Sequence, residues 1–218
     1  HSLQGPGELR LKSTNVNNTG SYQFRVASTG FTGNTVIEAG ARLHLMHQNG
    51  LGATVNGVKP GDIQVLDDGQ LLIDVVGTVT NDISLEGIGW KESVGQLGAL
   101  RMIKGEFTGD VLLTGDARIG AWRGQDGAIS GVISDGGNGY DVEKWGNGRI
   151  ILTGYSTYIG DTIIADGQLK LANLDGPALY VDPNDPTNYN SVNRPTGTII
   201  IDHRVNSGWV YPDTASML

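Results

Sequence analysis

The sequence contains no cysteine, few basic residues and no long apolar run. Without cysteine among its 218 residues, the chain has no disulfide, no thiolate metal ligand and no cysteine nucleophile. Its 15 Lys and Arg are scattered and outnumbered by 23 Asp and Glu, for a net charge of −8. This argues against nucleic acid and against an anionic membrane surface, which both require clustered positive charge. No stretch reaches the roughly 18 apolar residues of a transmembrane helix.

A leader segment and helical periodicity are also missing. The chain begins at His1 without a charged or apolar leader, so we expect a processed or excised part of a longer protein. Apolar residues alternate over a few positions and then stop at Gly, Asn or Asp, which is typical of short strands joined by turns. Strands are predicted at residues 9–11, 36–37, 43–45, 63–66, 71–73, 111–113, 129–133, 150–152, 163–164, 169–171 and 198–202.

Internal repetition indicates how these strands are arranged. Residues 146–153 echo residues 5–12, and residues 157–167 echo residues 30–40. The first copy is longer, so we predict an insertion near residues 16–27. A shorter echo relates 68–73 to 166–171. Repetition with drift favours a solenoid over a sandwich or barrel.

The predicted fold is all-β, a single parallel β-solenoid with coils of about 20 to 25 residues. Inward Val, Ile and Leu would form columns across strands about 4.8 Å apart. Glycine would turn the corners by adopting positive φ, and Thr35 and Thr162 would point outward.

The 34 glycines, about twice the usual share, suit so many turns. We assign residues 1–180 to the solenoid. Residues 181–218 are predicted as an irregular, Pro-rich C-terminal capping segment with one further strand, since a solenoid end needs a cap or a partner.

One run has a specific spacing of Gly, Tyr and Thr. Residues 142–171 read VEKWGNGRIILTGYSTYIGDTIIADGQLKL. They resemble the autotransporter-associated β-strand repeat, whose pattern is L-x-K-x-G-x-G-x-L-x-L-[ST]-G-x-N-T-Y-x-G-x-T-x-I-x-x-G-x-L-x-L. Ser156 stands where that family usually has Asn. The resemblance extends more loosely over residues 5–180 and implies a right-handed β-helical passenger region of a large secreted or surface protein. It therefore implies an extracellular or cell-surface location.

Two segments offer oxygen ligands for calcium. Residues 136–141 match the start of the calcium-binding nonapeptide of β-rolls, but there is one copy, and Glu143 stands where the pattern needs an apolar residue. A glycine-rich corner is the favoured interpretation. Asp182 to Asp185 lacks the glycine and distant Glu of an EF-hand. An Asx-Pro turn is favoured there, and calcium binding by this cluster stays open.

The other polar candidates also favour structural roles. His44 and His47 lack a third ligand for zinc. Asp67 and Asp68 precede a glycine, and Asp-Gly is typical of a turn. Residues 146–148 lack the helix that a phosphate site requires. We therefore predict no catalytic, cofactor-binding or metal-binding residue, no cofactor and no enzymatic activity.

Four tryptophans complete the set of candidates: Trp90, Trp122, Trp145 and Trp209. Trp can stack on a sugar or anchor a protein partner, and Trp145 replaces a small polar residue of the repeat pattern. Packing at corners is the favoured interpretation of all four, with an exposed Trp145 ring as the alternative.

The leading functional hypothesis is a non-catalytic extracellular rod with a structural or adhesive role. One alternative is a self-assembling filament subunit that adds strands end to end. Another is a polysaccharide-binding or polysaccharide-cleaving module. The expected partners are copies of the chain itself, or a surface glycan or protein. Nucleic acid and membrane insertion are not expected.

Overall fold

The structure is a computed structural model that describes residues 1–13, 20–122 and 124–171, and the backbone of one later strand. Every regular element in these residues is a β-strand. The strands are β1 (Gln4–Gly5), β2 (Leu9–Leu11), β3 (Gly20–Phe24), β4 (Gly30–Phe31), β5 (Thr35–Ile37), β6 (Ala41–Leu45), β7 (Ile63–Val65), β8 (Gln70–Val79), β9 (Ile83–Gly87), β10 (Lys91–Glu92), β11 (Gly95–Gln96), β12 (Leu100–Phe107), β13 (Val111–Ala121), β14 (Asp126–Ile129), β15 (Ile133–Ser134), β16 (Val142–Trp145), β17 (Arg149–Leu152), β18 (Thr162–Ile164), β19 (Gln168–Leu171) and β20 (Ile199–Ile201). Within the described part of the chain, no helix is long and apolar enough to cross a membrane.

Most strands belong to three stacks of parallel neighbours, which we call faces A, B and C. Face A contains β2, β5, β7, β9, the start of β13 and β15. Face B contains β3, β6, the starts of β8 and β12, the end of β13, β16, β18 and β20. Face C contains the ends of β8 and β12, then β14, β17 and β19. The chain visits the faces in the order A, B, C, and we call each such passage a coil.

Aliphatic side chains form columns along the inside of each face. In face B, Leu43, Leu71, Leu100, Ile119 and Ile164 lie in one column and are at most 3% exposed. Successive face A strands begin 20 to 28 residues apart, close to the predicted coil length. The all-β prediction and the parallel pairing are therefore confirmed, as expected of a β-helix.

Local alternation located ten of the twenty described strands correctly. The prediction for residues 129–133 was wrong, because a corner at residues 130–132 separates β14 from β15. Eight of the described strands were not predicted: β1, β3, β4, β9, β10, β11, β12 and β16. Thr35 and Thr162, predicted to point outward, are both 1% exposed. Thr35 lies in register with inward Ile63, and the Thr162 hydroxyl lies 2.7 Å from the hydroxyl of buried Tyr158.

The two sequence copies do not occupy equivalent places. Residues 35–37 lie in face A and 41–45 in face B, whereas their echoes 162–164 and 168–171 lie in faces B and C. In each copy, a short turn with a positive-φ glycine joins the two strands: Gly40 at 76° and Gly167 at 72°. The repeated unit is thus a strand–corner–strand unit that fits between either pair of faces.

The insertion predicted near residues 16–27 contains a strand. β3 pairs along its whole length with β6 of face B, and the preceding residues 14–19 lie outside the described part. Of the predicted capping segment, residues 181–218, the described residues comprise β20 alone, which pairs with β18. The strand predicted at residues 198–202 is present there, and the division at residue 180 stays a prediction.

A second set of glycines is required by close packing rather than by positive φ. Gly33, Gly61, Gly109, Gly131 and Gly154 form a column at the entry to face A. A Cβ at any of these positions would overlap the backbone of the coil below, as Gly131 would overlap the carbonyl oxygen of Gly109. None of the five has positive φ. The expectation that corner glycines serve positive φ is therefore wrong for this column.

Asn81 replaces glycine once in this column. Its carbonyl lies where a Cβ on Gly109 would be. Its own side chain is 1% exposed, and Nδ2 donates to the carbonyls of Leu51 at 3.1 Å and Gly61 at 2.6 Å. These two bonds satisfy a polar side chain that would otherwise be costly to bury.

The column predicts a large difference between two Gly→Ala substitutions. Gly131→Ala must push two coils apart, and we expect a loss of about 3 kcal/mol in the free energy of unfolding, measured by urea denaturation. Gly7→Ala is the control, because Gly7 lies at the end of the same column and a Cβ there has no neighbour within 4 Å. Equal stability of the two variants would contradict the packing argument.

Candidate functional site: an arginine–tryptophan cluster

The acidic pair Asp67–Asp68 forms a corner between faces A and B. Asp67 Oδ1 accepts the N–H of Asp68 at 2.9 Å, and Asp68 has a φ of 60°. Asp68 Oδ1 accepts a further bond from Gln96 Nε2 at 2.6 Å. The Asp67 carboxylate therefore serves the turn, as the Asp-Gly signal predicted, and the Asp68 carboxylate binds a residue 28 positions further along the chain.

The two histidines are not brought together. His44 Nε2 lies 3.3 Å from Asp74 Oδ2, whereas His47 Nδ1 accepts the N–H of Asn49 at 3.1 Å. Within the described ranges, no three His, Asp or Glu side chains form a group that could hold a metal ion. The Asp182–Asp185 cluster lies outside these ranges.

The glycine-rich residues 136–141 form a corner organised by the preceding residue, Asp135. This carboxylate is 1% exposed and accepts the N–H groups of Gly137, Gly139, Tyr140 and Ile159. Burial raises the pKa of Asp135, but these four bonds outweigh that effect, so the pKa lies below its usual value. Asp135 thus occupies the backbone N–H groups of this corner. The favoured corner interpretation is confirmed, and the calcium alternative stays untested.

Three tryptophans, by contrast, each stack on an arginine. The guanidinium carbons of Arg42, Arg101 and Arg118 lie 4.2, 4.6 and 4.3 Å from the ring centroids of Trp90, Trp122 and Trp145, respectively. At this distance the cation is attracted to the ring face. Trp209 lies outside the described ranges.

Glutamates complete the cluster. Glu92 pairs with Arg101 and lies 3.7 Å from Arg42. Glu143 Oε2 accepts bonds from Arg118 at 2.8 Å. Arg101 is 4% exposed, so its charge is compensated by partners rather than by water.

The cluster holds one segment against the outside of face B. Residues 88–98, which we call the strap, leave the coil after β9 and include the antiparallel pair β10–β11. Trp90 is 9% exposed, and its Nε1 donates to the carbonyl of Gly40 at 3.1 Å. Gln70 Nε2 donates to the carbonyl of Gly98 at 2.9 Å, and Arg118 donates to that of Gln96 at 2.6 Å. The strap therefore connects four successive coils.

The tryptophans have different surroundings. Trp90, in the strap, packs against Arg42 on the outside of face B rather than between the faces. Trp145 is half-buried, and Trp122 is 48% exposed. Of the three described tryptophans, Trp90 alone is buried, and it lies against the outside of face B rather than in the core. The exposed ring lies at Trp122 rather than Trp145.

A buried lysine interrupts the inward column of face B. Lys144 is 1% exposed and stands in register between Ile119 and Ile164. Its Nζ donates to the carbonyls of Trp145, Gly146 and Asp166 at 3.0, 2.6 and 2.9 Å. All three ammonium protons therefore bind backbone at a corner, linking one coil to the next.

Sequence reasoning missed these arginines, Asp135 and Lys144. Each Arg–Trp partner pair lies far apart along the chain, so local alternation carries no signal for it. A usable signal was the recurrence of Arg and Trp about one coil apart, as in Arg101 with Trp122. For Lys144, the usable signal was strand alternation starting from Val142, which puts the side chain of Lys144 on the same inward side as that of Val142.

Comparison with known families supports the repeat identified in the sequence. The passenger-associated-transport-repeat family matches residues 142–171, which run from the first residue of β16 to the last residue of β19. No curated protein sequence and no solved structure matches the chain. The resemblance predicted for these residues is therefore confirmed.

Removing a buried arginine should cost more than removing an exposed one. Arg101→Ala leaves Glu92 half-buried without its closest partner and uncovers the Trp122 ring, so we expect a loss of about 3 kcal/mol in the free energy of unfolding. Trypsin should also cut faster after Lys91, in the strap. The control is Arg149→Ala, whose pair with Asp126 is about half exposed, with an expected loss below about 1 kcal/mol. Similar losses of unfolding free energy in the Arg101→Ala and Arg149→Ala variants would show that the strap adds no stability.

Lys144 predicts a specific pH dependence. Burial lowers its pKa from 10.5 to about 8, opposed in part by Asp166. The unfolded chain therefore binds the proton more tightly between about pH 8 and 10.5, so the stability supplied by Lys144 rises with pH in this window. Lys144→Met leaves three carbonyls unpaired, and we expect a loss of about 2 kcal/mol at pH 7.

The deficit of Lys144→Met should then grow by on the order of 1–3 kcal/mol between pH 7 and 10. Urea denaturation at several pH values measures it. Lys104→Met is the control, because Lys104 is about half exposed beside Asp74, and equal changes of the two deficits with pH would contradict the prediction. A deficit that shrinks as pH rises would contradict the assigned pKa shift.

Proposed function

We propose that this chain is a rod segment of the passenger region of a secreted or surface protein, with a structural or adhesive role and no catalytic activity. The segment folds as a single right-handed β-solenoid. The observation that carries the proposal is the passenger-associated-transport-repeat at residues 142–171, since the limits of this repeat coincide with those of four consecutive strands.

The architecture supports a rod. Except at the two ends of each face, every strand of faces A, B and C pairs with the coils before and after it, so the sheets grow along one axis as coils are added. Contacts are consequently made mainly between successive coils. A fold of this kind extends in length without changing its cross-section, which suits a stalk that holds other domains away from a cell surface.

The buried polar groups support a non-catalytic role. Lys144, Asp135 and Asn81 each use their polar atoms to satisfy backbone groups at corners. A general acid or base needs free access to a substrate proton, and these three side chains have none. The acidic pair is likewise engaged, Asp67 in its own turn and Asp68 with Gln96 of the strap.

The two alternatives named from the sequence stay predictions. End-to-end strand addition into a filament would require an exposed sheet edge in the native protein. Polysaccharide cleavage would require two carboxyl groups converging at about 5–9 Å. No specific contact in the described residues favours strand addition or polysaccharide cleavage, and polysaccharide binding without cleavage requires neither.

Protease shaving of intact source cells tests the proposal. An antibody raised against the purified chain should detect its antigen in the medium or on intact cells, and added protease should remove the cell-bound signal. A cytosolic enzyme of the same cells is the control and must survive the treatment. Detection solely after lysis, together with that enzyme, would contradict the proposal.

A further inference from the structure

Trp122 presents an open aromatic face on the outside of the molecule. The side chain follows β13 directly and is 48% exposed. The guanidinium of Arg101 covers one face of the ring, 4.6 Å from its centroid. Because nearly half of the residue is exposed while one face is covered, the other face of the indole meets solvent.

The backbone of Trp122 is anchored, and Arg101 contacts its ring. The backbone N–H of Trp122 donates to the carbonyl of Met102 at 2.9 Å, and its backbone carbonyl accepts the N–H of Gln125 at 3.1 Å. Arg101, behind the ring, is fixed by its pair with Glu92. A side chain fixed in this way loses little conformational entropy on binding.

Two exposed neutral amides belong to residues whose backbone lies near that of Trp122. Gln125 is exposed three residues further along the chain, and Asn147 is exposed on the next coil. Asn147 is brought close by Gly148, where a Cβ would overlap the carbonyl of Trp122. An amide side chain both donates and accepts hydrogen bonds, which suits a ligand rich in hydroxyl groups.

We infer that Trp122, Gln125 and Asn147 form a binding site for a neutral polysaccharide. One sugar ring stacks its C–H face on the open side of the indole, and its hydroxyls bind the two amides. This inference rests on the proposed adhesive role, because it names the class of ligand that the rod would bind at a cell surface.

The size and charge of the site favour this ligand over others. One Trp buries about 150–250 Å², whereas a stable protein interface needs about 800 Å² from each partner. An acidic polysaccharide would meet a chain of net charge −8. Arg101 is 4% exposed and already paired, so it offers no free positive charge to such a ligand. Arg123 follows Trp122 in the sequence, and the acidic polymer in the binding test measures its contribution.

Binding of the purified chain to polysaccharides tests the inference. Cellulose and chitin serve in sedimentation assays, mannan and dextran in titrations followed by tryptophan fluorescence, and alginate as the acidic polymer. We expect binding to at least one neutral polymer and an affinity roughly tenfold lower for Trp122→Ala. Gln125→Ala and Asn147→Ala, which change exposed side chains, should weaken binding severalfold without changing the thermal midpoint.

Tyr155→Ala is the matched control, because Tyr155 is another exposed aromatic residue, at 43%, away from Trp122. Its binding should equal that of the wild type. The inference is overturned if no neutral polymer binds, if alginate alone binds, or if Trp122, Gln125 and Asn147 can all be replaced without effect. Failure here would leave the surface location intact, because the shaving experiment measures location and does not depend on glycan binding.

Discussion

The stacking of coils in register determines almost every other feature of this molecule. Neighbouring strands lie about 4.8 Å apart, so the nearest neighbours of each residue are the residues at the same position in the coils above and below. An inward position therefore accepts an aliphatic side chain that packs on another aliphatic side chain. Where the backbones themselves touch, as between Gly109 and Gly131, no side chain fits at all. One spacing thus explains both the apolar columns and the glycine column.

This constraint also explains what the sequence could reveal. Alternation of apolar residues is local, so it located strands such as β2, β6 and β17 and the corner glycines at Gly40 and Gly167. The face to which a strand belongs is a long-range property. The same strand–corner–strand unit fits between faces A and B or between faces B and C. The echo between residues 35–45 and 162–171 therefore could not show which pair of faces each copy joins.

The candidate site was less predictable, because its contacts join distant residues. Trp90 and Arg42 lie two coils apart, and the strap brings them together from outside face B. Trp, Arg and Glu side chains there form a second packed layer outside the coils. Charged residues of this kind resemble an ordinary solvated surface in the sequence. Only pairing across coils shows that Arg101 and Gln70 are buried.

Lys144 shows how a polar residue can strengthen a column built from aliphatic side chains. An ammonium in this position has to replace water with three acceptors, and the corner provides them as the carbonyls of Trp145, Gly146 and Asp166. These carbonyls belong to the turns of two successive coils, so a shift of one coil against the other would remove at least one acceptor from a buried charge. An aliphatic residue would tolerate that shift. The lysine therefore fixes the alignment of two coils within the residues that match the passenger-associated-transport-repeat, and the lysine in the repeat's sequence pattern stands at this position.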